Sequence, residues 1–163
     1  MVDPLEKQVL IELKKGVSKE NILKKLATAD NREDLVWYLN YYPTGKGRRE
    51  AFGPNWILST VLLTVTVKKL YFIALVQINA ASVDLFTPLL LVELLVPAIN
   101  FYALSKILRF QKQGYQFMAV LGLLALVRPE NRVMPELAMY CVIIGLSVFL
   151  LLRLFPKNEL VKE

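Results

Sequence analysis

Histidine is absent from the 163-residue sequence, and cysteine occurs once, as Cys141. The absence of histidine removes the commonest metal ligand and the most frequent general base. A single cysteine excludes a disulfide and a cysteine-only metal site within one chain. Glycine is scarce, at seven residues, and no glycine-rich phosphate-binding loop occurs. We therefore expect a protein that is not an enzyme and that holds neither a cofactor nor a metal.

Apolar residues, in contrast, make up 55% of the sequence. Charged side chains are concentrated near the start. Residues 1–50 hold 18 of the 34 Lys, Arg, Asp and Glu, and residues 51–163 hold the other 16. This shift in composition predicts a domain boundary near residue 50. We expect residues 1–50 to form a cytoplasmic three-helix cap with a basic linker, and residues 51–163 to form a transmembrane domain.

Three short helices are predicted in the cap from their start and stop signals. Asp3 precedes a proline and begins the first helix, which ends at Gly16. Ser18 begins the second helix and Asp30 the third, each by the pattern of an N-cap residue. The run Thr-Gly-Lys-Gly-Arg-Arg at 44–49 predicts a flexible basic linker between the cap and the membrane segments.

Aromatic residues cluster where the cap approaches the first apolar segment. We predict that they form an exposed edge that contacts a partner protein or lies in the membrane interface, where Trp and Tyr are enriched. The predicted contact residues are Trp37, Tyr38, Tyr41, Tyr42 and Trp56.

The charge of the cap does not favour nucleic acid as a partner. Residues 1–50 hold ten Lys and Arg against eight Asp and Glu. The helix that would follow a helix-turn-helix opening begins with Asn31-Arg32-Glu33-Asp34, which is net acidic. Nucleic-acid binding requires a strong positive charge facing the phosphates. We expect no nucleic-acid partner.

Four segments approach the ~20 apolar residues that a helix needs to cross a membrane. The predicted spans are 56–78, 85–105, 113–128 and 137–155. The third contains only the uninterrupted stretch 115–127, so three spans are the alternative. The predicted fold is an all-α membrane protein of four transmembrane helices, three being possible, with a small N-terminal helical cytoplasmic domain.

Lysine and arginine are distributed unevenly among the connections between spans. They are frequent before the first span, between the second and third, and after the fourth, which places both termini in the cytoplasm. The same basic residues are predicted to contact lipid headgroups. This set consists of Arg48, Arg49, Lys106, Arg109 and Lys112.

Three charged residues, Lys68, Lys69 and Glu93, lie deep inside the predicted spans, away from their ends. A charge at the bilayer centre costs about 2.5–3.5 kcal/mol. Counting ~1.5 Å per residue from the helix ends places Lys69 and Glu93 at one depth, ~12–14 Å below the same surface. We predict that one lysine pairs with Glu93 across the hairpin of the first two spans. The other lysine must then extend to the interface, line a cavity or meet another chain.

Pro97 and Asn100 extend this site along the second span. A proline at 97 leaves the carbonyl of Glu93 without its helical hydrogen bond. That carbonyl, the Glu93 carboxylate and Asn100 together predict a polar notch in an apolar helix. Two interpretations stay open: a structural contact between helices or subunits, and an ion or proton path in which Glu93 titrates.

The sequence favours a non-catalytic membrane protein that acts as a subunit, scaffold or assembly factor of a complex. Its predicted partners are membrane lipids and other membrane subunits or a second copy of itself. The alternative is a small homo-oligomeric ion or proton channel or transporter that uses Lys68 or Lys69 with Glu93. A pore would be expected to show a row of polar residues along its whole length, and the spans lack one.

Overall fold

The computed structural model describes residues 3–81 and 92–161, without the side chains of residues 80 and 81. All regular structure in these residues is helical. The α-helices are α1 (Pro4–Lys14), α2 (Lys19–Leu26), α3 (Arg32–Tyr41), α4 (Gly45–Glu50), α5 (Phe52–Ala81), α6 (Leu95–Leu108), α7 (Lys112–Ala125) and α8 (Glu136–Leu154). Short 3-10 helices occupy Pro129–Arg132 and Lys157–Glu159.

Helices α1, α2 and α3 form the cap. Asp3 accepts a hydrogen bond from the Leu5 amide at 2.9 Å, and Ser18 accepts one from the Asn21 amide at 3.4 Å, so both predicted N-caps are confirmed. Gly16 ends α1 with a φ of +84°, a conformation that glycine adopts without steric cost. The three helices enclose a small buried core of Val9, Leu13, Ile22, Leu35, Leu39 and Tyr42.

The start of α3 differs by one residue from the prediction, because its N-cap is Asn31 and not Asp30. The Asn31 side chain gives no bond to the helix. It accepts a hydrogen bond from the Thr28 amide at 2.8 Å and donates one to the Leu26 carbonyl at 3.1 Å. Asn31 therefore fixes the turn between α2 and α3.

The segment predicted to be a flexible linker is helix α4, so that prediction was wrong. Thr44 caps the helix by accepting a hydrogen bond from the Gly47 amide at 3.3 Å. Gly45 lies against α1, and a Cβ at this position would stand 2.6 Å from the Leu13 carbonyl oxygen. The glycine therefore allows a close approach of two backbones, where the composition alone indicated mobility.

Helices α5 to α8 form a four-helix bundle in which neighbours along the chain pack together and α8 closes the ring against α5. Its interior is apolar because each helix turns one stripe of large side chains inward. The buried centre includes Leu58, Leu62, Ala103, Ile107, Met118, Ile143 and Leu150.

Two of the described helices are long and apolar enough to cross a membrane, one over Phe52–Asn79 in α5 and the other over Glu136–Leu154. Their length and composition suggest a membrane location. Helices α6 and α7 have 14 residues each, or ~21 Å, which is less than the ~30 Å of a hydrocarbon core. The prediction of four spans is therefore not confirmed by helix length, and part of the second predicted span, 85–91, lies outside the described residues.

The second predicted span is interrupted where the described chain resumes. A turn at Leu94 separates helical residues 92–93 from α6, and Pro97 is the third residue of α6. Proline is accepted in the first turn of a helix because the amides there have no helical partner. Pro97 thus marks a helix start, where the sequence predicted a defect within a continuous helix.

Candidate functional site

Two ion pairs of α8, one with the last residue of α4 and one with α5, mark the ends of the bundle. At the end nearest the cap, Arg153 Nη2 lies 3.4 Å from a carboxylate oxygen of Glu50. At the other end Lys68 pairs with Glu136. Eighteen residues separate Glu50 from Lys68, which corresponds to ~27 Å along a helix. We call these the cap end and the far end of the bundle.

At the far end, charged residues of α5, of α8, of the segment before α6 and of the loop after α7 surround one cavity of about 300 Å³. Three of them are cations and three are carboxylates, so the cavity has no net charge from its lining. They are Lys68, Lys69, Glu93, Arg128, Glu130 and Glu136. The far-end cavity therefore contains all three charged residues that the sequence placed inside the membrane.

The predicted ion pair between a lysine and Glu93 is not formed within the described residues. Lys68 pairs with Glu136, and Arg128 pairs with Glu130 at 3.1 Å. No described carboxylate lies within ion-pairing distance of Lys69, and no described cation lies within that distance of Glu93. Lys69 and Glu93 thus line the same cavity without touching each other. The sequence missed Glu136 because two whole helices, α6 and α7, separate it from Lys68 along the chain.

Asn100 is bound inside the bundle. Its Nδ2 donates to Thr66 Oγ1 at 3.1 Å, and Thr66 in turn donates to the Leu62 carbonyl at 2.7 Å. Asn100 is buried while Glu93 is exposed. The Asn100 amide therefore joins α6 to α5. At this part of the predicted notch the polar group makes a contact between helices.

Helix α5 continues beyond the far end. From Lys69 to its last residue, Ala81, it extends by twelve residues, or ~18 Å. We call residues 70–79 the overhang. Ile73 is buried, but four large apolar or aromatic side chains of the overhang are 41–66% exposed, namely Tyr71, Phe72, Leu75 and Ile78.

At the cap end, a hydrogen-bonded cluster joins the cap to the loop between α6 and α7. The Tyr42 hydroxyl donates to the Glu6 carboxylate and accepts from Gln111 Nε2 at 2.7 Å. Tyr41 donates to the side chains of Gln111 and Gln113 at 3.3 and 3.2 Å. Burial, and then the Glu6 carboxylate, raise the pKa of Tyr42 well above its usual range. Tyr42 therefore remains a hydrogen-bond donor at neutral pH.

These contacts change the interpretation of the aromatic edge. Tyr42 was predicted to be exposed and is only 3% exposed, so that prediction was wrong. Trp37 is 56% exposed and stacks on Tyr41, with ring centroids 4.6 Å apart. Tyr38 donates to Asp3 at 2.9 Å within the cap. Tyr41 and Tyr42 therefore attach the cap to the bundle, and Trp37 is the aromatic residue of α3 that keeps a largely free surface.

The last described residue is also bound to the cap. Asn40 donates to the Val161 carbonyl and accepts from the Val161 amide, both at 2.9 Å. A side-chain amide that satisfies both backbone groups of one residue imitates the pairing of two strands. The cap and residue 161 therefore lie at the same end of the bundle. The sequence offered no signal for this contact, because Asn40 is one of several polar residues in α3.

The predicted headgroup residues all lie at the cap end. Arg48 donates to the Arg109 carbonyl at 3.0 Å and lies over the Phe110 ring at 4.8 Å. The ammonium groups of Lys106 and Lys112 lie 5.2 and 5.9 Å from aromatic rings. Arg49 is exposed, and Trp56 is 56% exposed in the first turns of α5. Basic and aromatic side chains thus occur together around this end.

Fold and site together define an all-helical chain with two candidate membrane helices and polar clusters at both ends of an apolar bundle. Among the described residues, no group of three or more Cys, Asp or Glu could hold a metal ion. Comparison with protein-family models, curated proteins and solved structures found no match to this chain.

Proposed function

We propose that this chain is a multi-pass membrane protein that acts as a non-catalytic subunit, scaffold or assembly factor of a membrane complex. All four bundle helices cross the bilayer, with the cap and residue 161 in the cytoplasm. The single observation that carries the proposal is the exposed apolar overhang of α5.

The charged residues at the two ends support the position of the membrane. The ~27 Å between the Glu50 and Lys68 levels is close to the ~30 Å of a hydrocarbon core. If the boundary lay at Ile78 instead, six charged residues of the far-end cavity would enter the hydrocarbon. Each would cost about 2.5–3.5 kcal/mol near the bilayer centre. The boundary at the far-end cavity has the lower free energy.

This boundary places the overhang outside the hydrocarbon. Its four exposed side chains then face water or another protein, and they lie close together on ten residues of one helix. A contiguous apolar surface of this kind marks a contact site in soluble regions. We infer that a membrane subunit or a second copy of the chain covers it.

The interior of the bundle offers less support for the alternative, a homo-oligomeric channel or transporter. Between the two ends, the described interior consists mainly of large apolar side chains such as Leu62, Met118 and Ile143, which are at most 2% exposed. Of its buried polar groups, Asn100 and Thr66 are bonded to each other. A conducting path would need polar groups or water along its length. A path between copies of the chain would have to be built from the outer faces of the helices.

The experiment is to measure the mass and composition of the complex after gentle extraction from the native membrane. We expect a mass above that of one chain. The double variant Tyr71→Ala with Ile78→Ala should reduce this mass, because it removes two exposed side chains of the overhang. The matched control, Phe117→Ala with Leu152→Ala, truncates exposed side chains of α7 and α8 between the two ends and should leave the mass unchanged.

The composition of the complex decides between the two functions. A stoichiometric foreign subunit that is lost with the overhang variant supports an accessory or assembly role. A homo-oligomer that conducts ions in reconstituted vesicles, and loses this flux in Glu93→Gln, supports the channel instead. A monomeric chain with no attached subunit would contradict both.

A further inference from the structure

A second cavity lies directly beside the far-end cavity and differs from it in chemistry. It measures about 180 Å³ and is lined mainly by apolar side chains of α5, α6 and α7. The two cavities share Val65, Lys69, Arg128, Asn131 and Tyr140. An apolar compartment and a charged compartment therefore meet at one pair of cations. We call the apolar compartment the α6–α7 groove.

The α6–α7 groove faces the surroundings of the bundle. Leu62 and Val65 of α5 form its floor and are buried. Its walls include Val96 and Ile99 of α6 and Leu124 of α7, which are 36–59% exposed. With the membrane boundary proposed above, this opening lies at the depth of lipid acyl chains just below the headgroups.

The charges at the top of the groove are only partly neutralised by one another. Lys68 is held by Glu136 and Arg128 by Glu130. Among the described residues, Lys69 and Glu93 remain without an ion pair although they line the same cavity. Two opposite charges that do not meet can both be satisfied by a ligand that carries one charge of each sign.

We propose that this double cavity binds a zwitterionic phospholipid whose headgroup carries a primary ammonium, as phosphatidylethanolamine does. One acyl chain occupies the α6–α7 groove, and the phosphate lies between Lys69 and Arg128. The ammonium group donates to Glu93 on the opposite wall. This inference rests on the membrane placement of the proposed function, and it requires no protein partner.

Several features of the cavity lining fit a phosphatidylethanolamine headgroup better than they fit other lipid headgroups. A phosphate accepts charge-assisted hydrogen bonds from both Lys69 and Arg128 and separates two like charges. Three cations and three carboxylates balance in the lining, so an anionic headgroup would leave Glu93 unpaired and facing negative charge. A choline headgroup has no N–H to donate to Glu93.

The experiment uses the full chain in vesicles that contain equal amounts of phosphatidylethanolamine, phosphatidylcholine and phosphatidylglycerol. Native mass spectrometry then measures which lipid stays bound after release. We expect phosphatidylethanolamine to be retained preferentially. Lys69→Gln and Glu93→Gln should each reduce this retention about tenfold, since each removes one charge-assisted contact. Lys24→Gln, the same change at an exposed position of the cap, should alter retention less than about twofold.

Filling the groove tests the acyl chain separately. Leu124→Trp adds bulk at the exposed mouth, and we expect it to reduce retention of all three lipids without changing their order. Soluble phosphoethanolamine, which has the headgroup but no chains, should not displace the lipid. Displacement by it would show that a free zwitterion is the ligand and would overturn the lipid assignment.

Other outcomes overturn the proposal directly. Equal retention of the three lipids, or a preference for phosphatidylglycerol, contradicts the role of Glu93. Retention that is unaffected by Lys69→Gln contradicts the phosphate site. Resistance of each variant to alkaline extraction from the membrane is measured in parallel. A chain that is inserted but binds no lipid contradicts only this inference, whereas a chain that is extracted contradicts the membrane placement itself.

Discussion

Lys19 is the most unusual single residue of the cap, because it is only 4% exposed and its ammonium has no hydrogen-bond partner among the described residues. It lies over the Phe155 ring, with 6.0 Å from Nζ to the ring centroid. Burial lowers the pKa of Lys19 to about 8, while Glu159 raises it and Lys112 lowers it further. Burial of the Lys19 ammonium therefore lowers the free energy of unfolding of the cap while the lysine is protonated.

The first prediction concerns the pH dependence of cap stability. Between pH 8 and 10 the unfolded cap keeps the proton on Lys19 and the folded cap releases it, so the free energy of unfolding rises with pH. We expect the melting temperature of the cap to increase from pH 8 to 9.5. Trp37 fluorescence measures it in a Trp56→Phe background.

Lys19→Met should raise the melting temperature at pH 7 and remove this rise with pH, because it buries no charge. Lys24→Met, at an exposed position of the same helix, should keep the rise. If the melting temperature of Lys19→Met still rises with pH, another group must be responsible for the titration.

The second prediction concerns the Tyr42 hydroxyl, which is bonded on both sides. Tyr42→Phe leaves the Glu6 carboxylate and the Gln111 amide without this partner at a buried position. We expect the cap to lose about 1–3 kcal/mol of stability in urea unfolding followed by Trp37 fluorescence. Tyr38→Phe removes an exposed hydroxyl within the cap and should change stability by less than about 0.5 kcal/mol. Equal losses in the two variants would contradict a docking role for Tyr42.

At the level of helices, local signals predicted the cap well. Asp3, Gly16 and Ser18 act through their own neighbours, so spacing alone located them. Helix α4 could not be predicted in this way, because Gly45 is explained by the distant Leu13 carbonyl. Pro97 indicated a defect within a continuous helix, and its actual position in the first turn of α6 depends on the chain that precedes it.

The third prediction concerns the segment after α8, which is held by Asn40. Asn40→Ala removes two hydrogen bonds to Val161, worth about 1–2 kcal/mol together. We expect trypsin to cleave after Lys157 about five- to thirtyfold faster, since the open state becomes that much more populated. Asn21→Ala, on an exposed part of α2, should leave the rate unchanged. An unchanged rate in Asn40→Ala would mean that Asn40 does not hold this segment.

For the molecule as a whole, the contact between the cap and residue 161 determines whether the number of membrane crossings between them is even or odd. Because both lie at one end of the bundle, the membrane placement proposed above requires the chain between them to cross an even number of times. The sequence predicted an even number from loop charges, and the described helices supply two candidates by length. The ion pairs that mark the two ends of the bundle could not be predicted from the sequence, because Lys68 and Glu136 meet only in the folded bundle.

The fourth prediction tests this parity by labelling single cysteines in sealed cells, in a Cys141→Ser background. Glu130→Cys, at the far end, should react with a membrane-impermeant maleimide from outside. Lys24→Cys in the cap and Lys157→Cys after α8 should react only after permeabilisation. Opposite behaviour of these two would contradict an even number of crossings. Reaction of both from outside would reverse the proposed orientation.

The hydrogen bonds between Asn40 and Val161 can form only some time after Asn40 has been synthesised. These residues are 121 positions apart, so a ribosome that adds ~5–20 residues per second completes the second roughly 6–24 s after the first. Throughout this interval Asn40 has been made but lacks its partner, whereas Tyr41 and Tyr42 gain Gln111 earlier. Asn40 is therefore open to other partners until residue 161 has emerged, and its bond to Val161 forms only after all four bundle helices have been made.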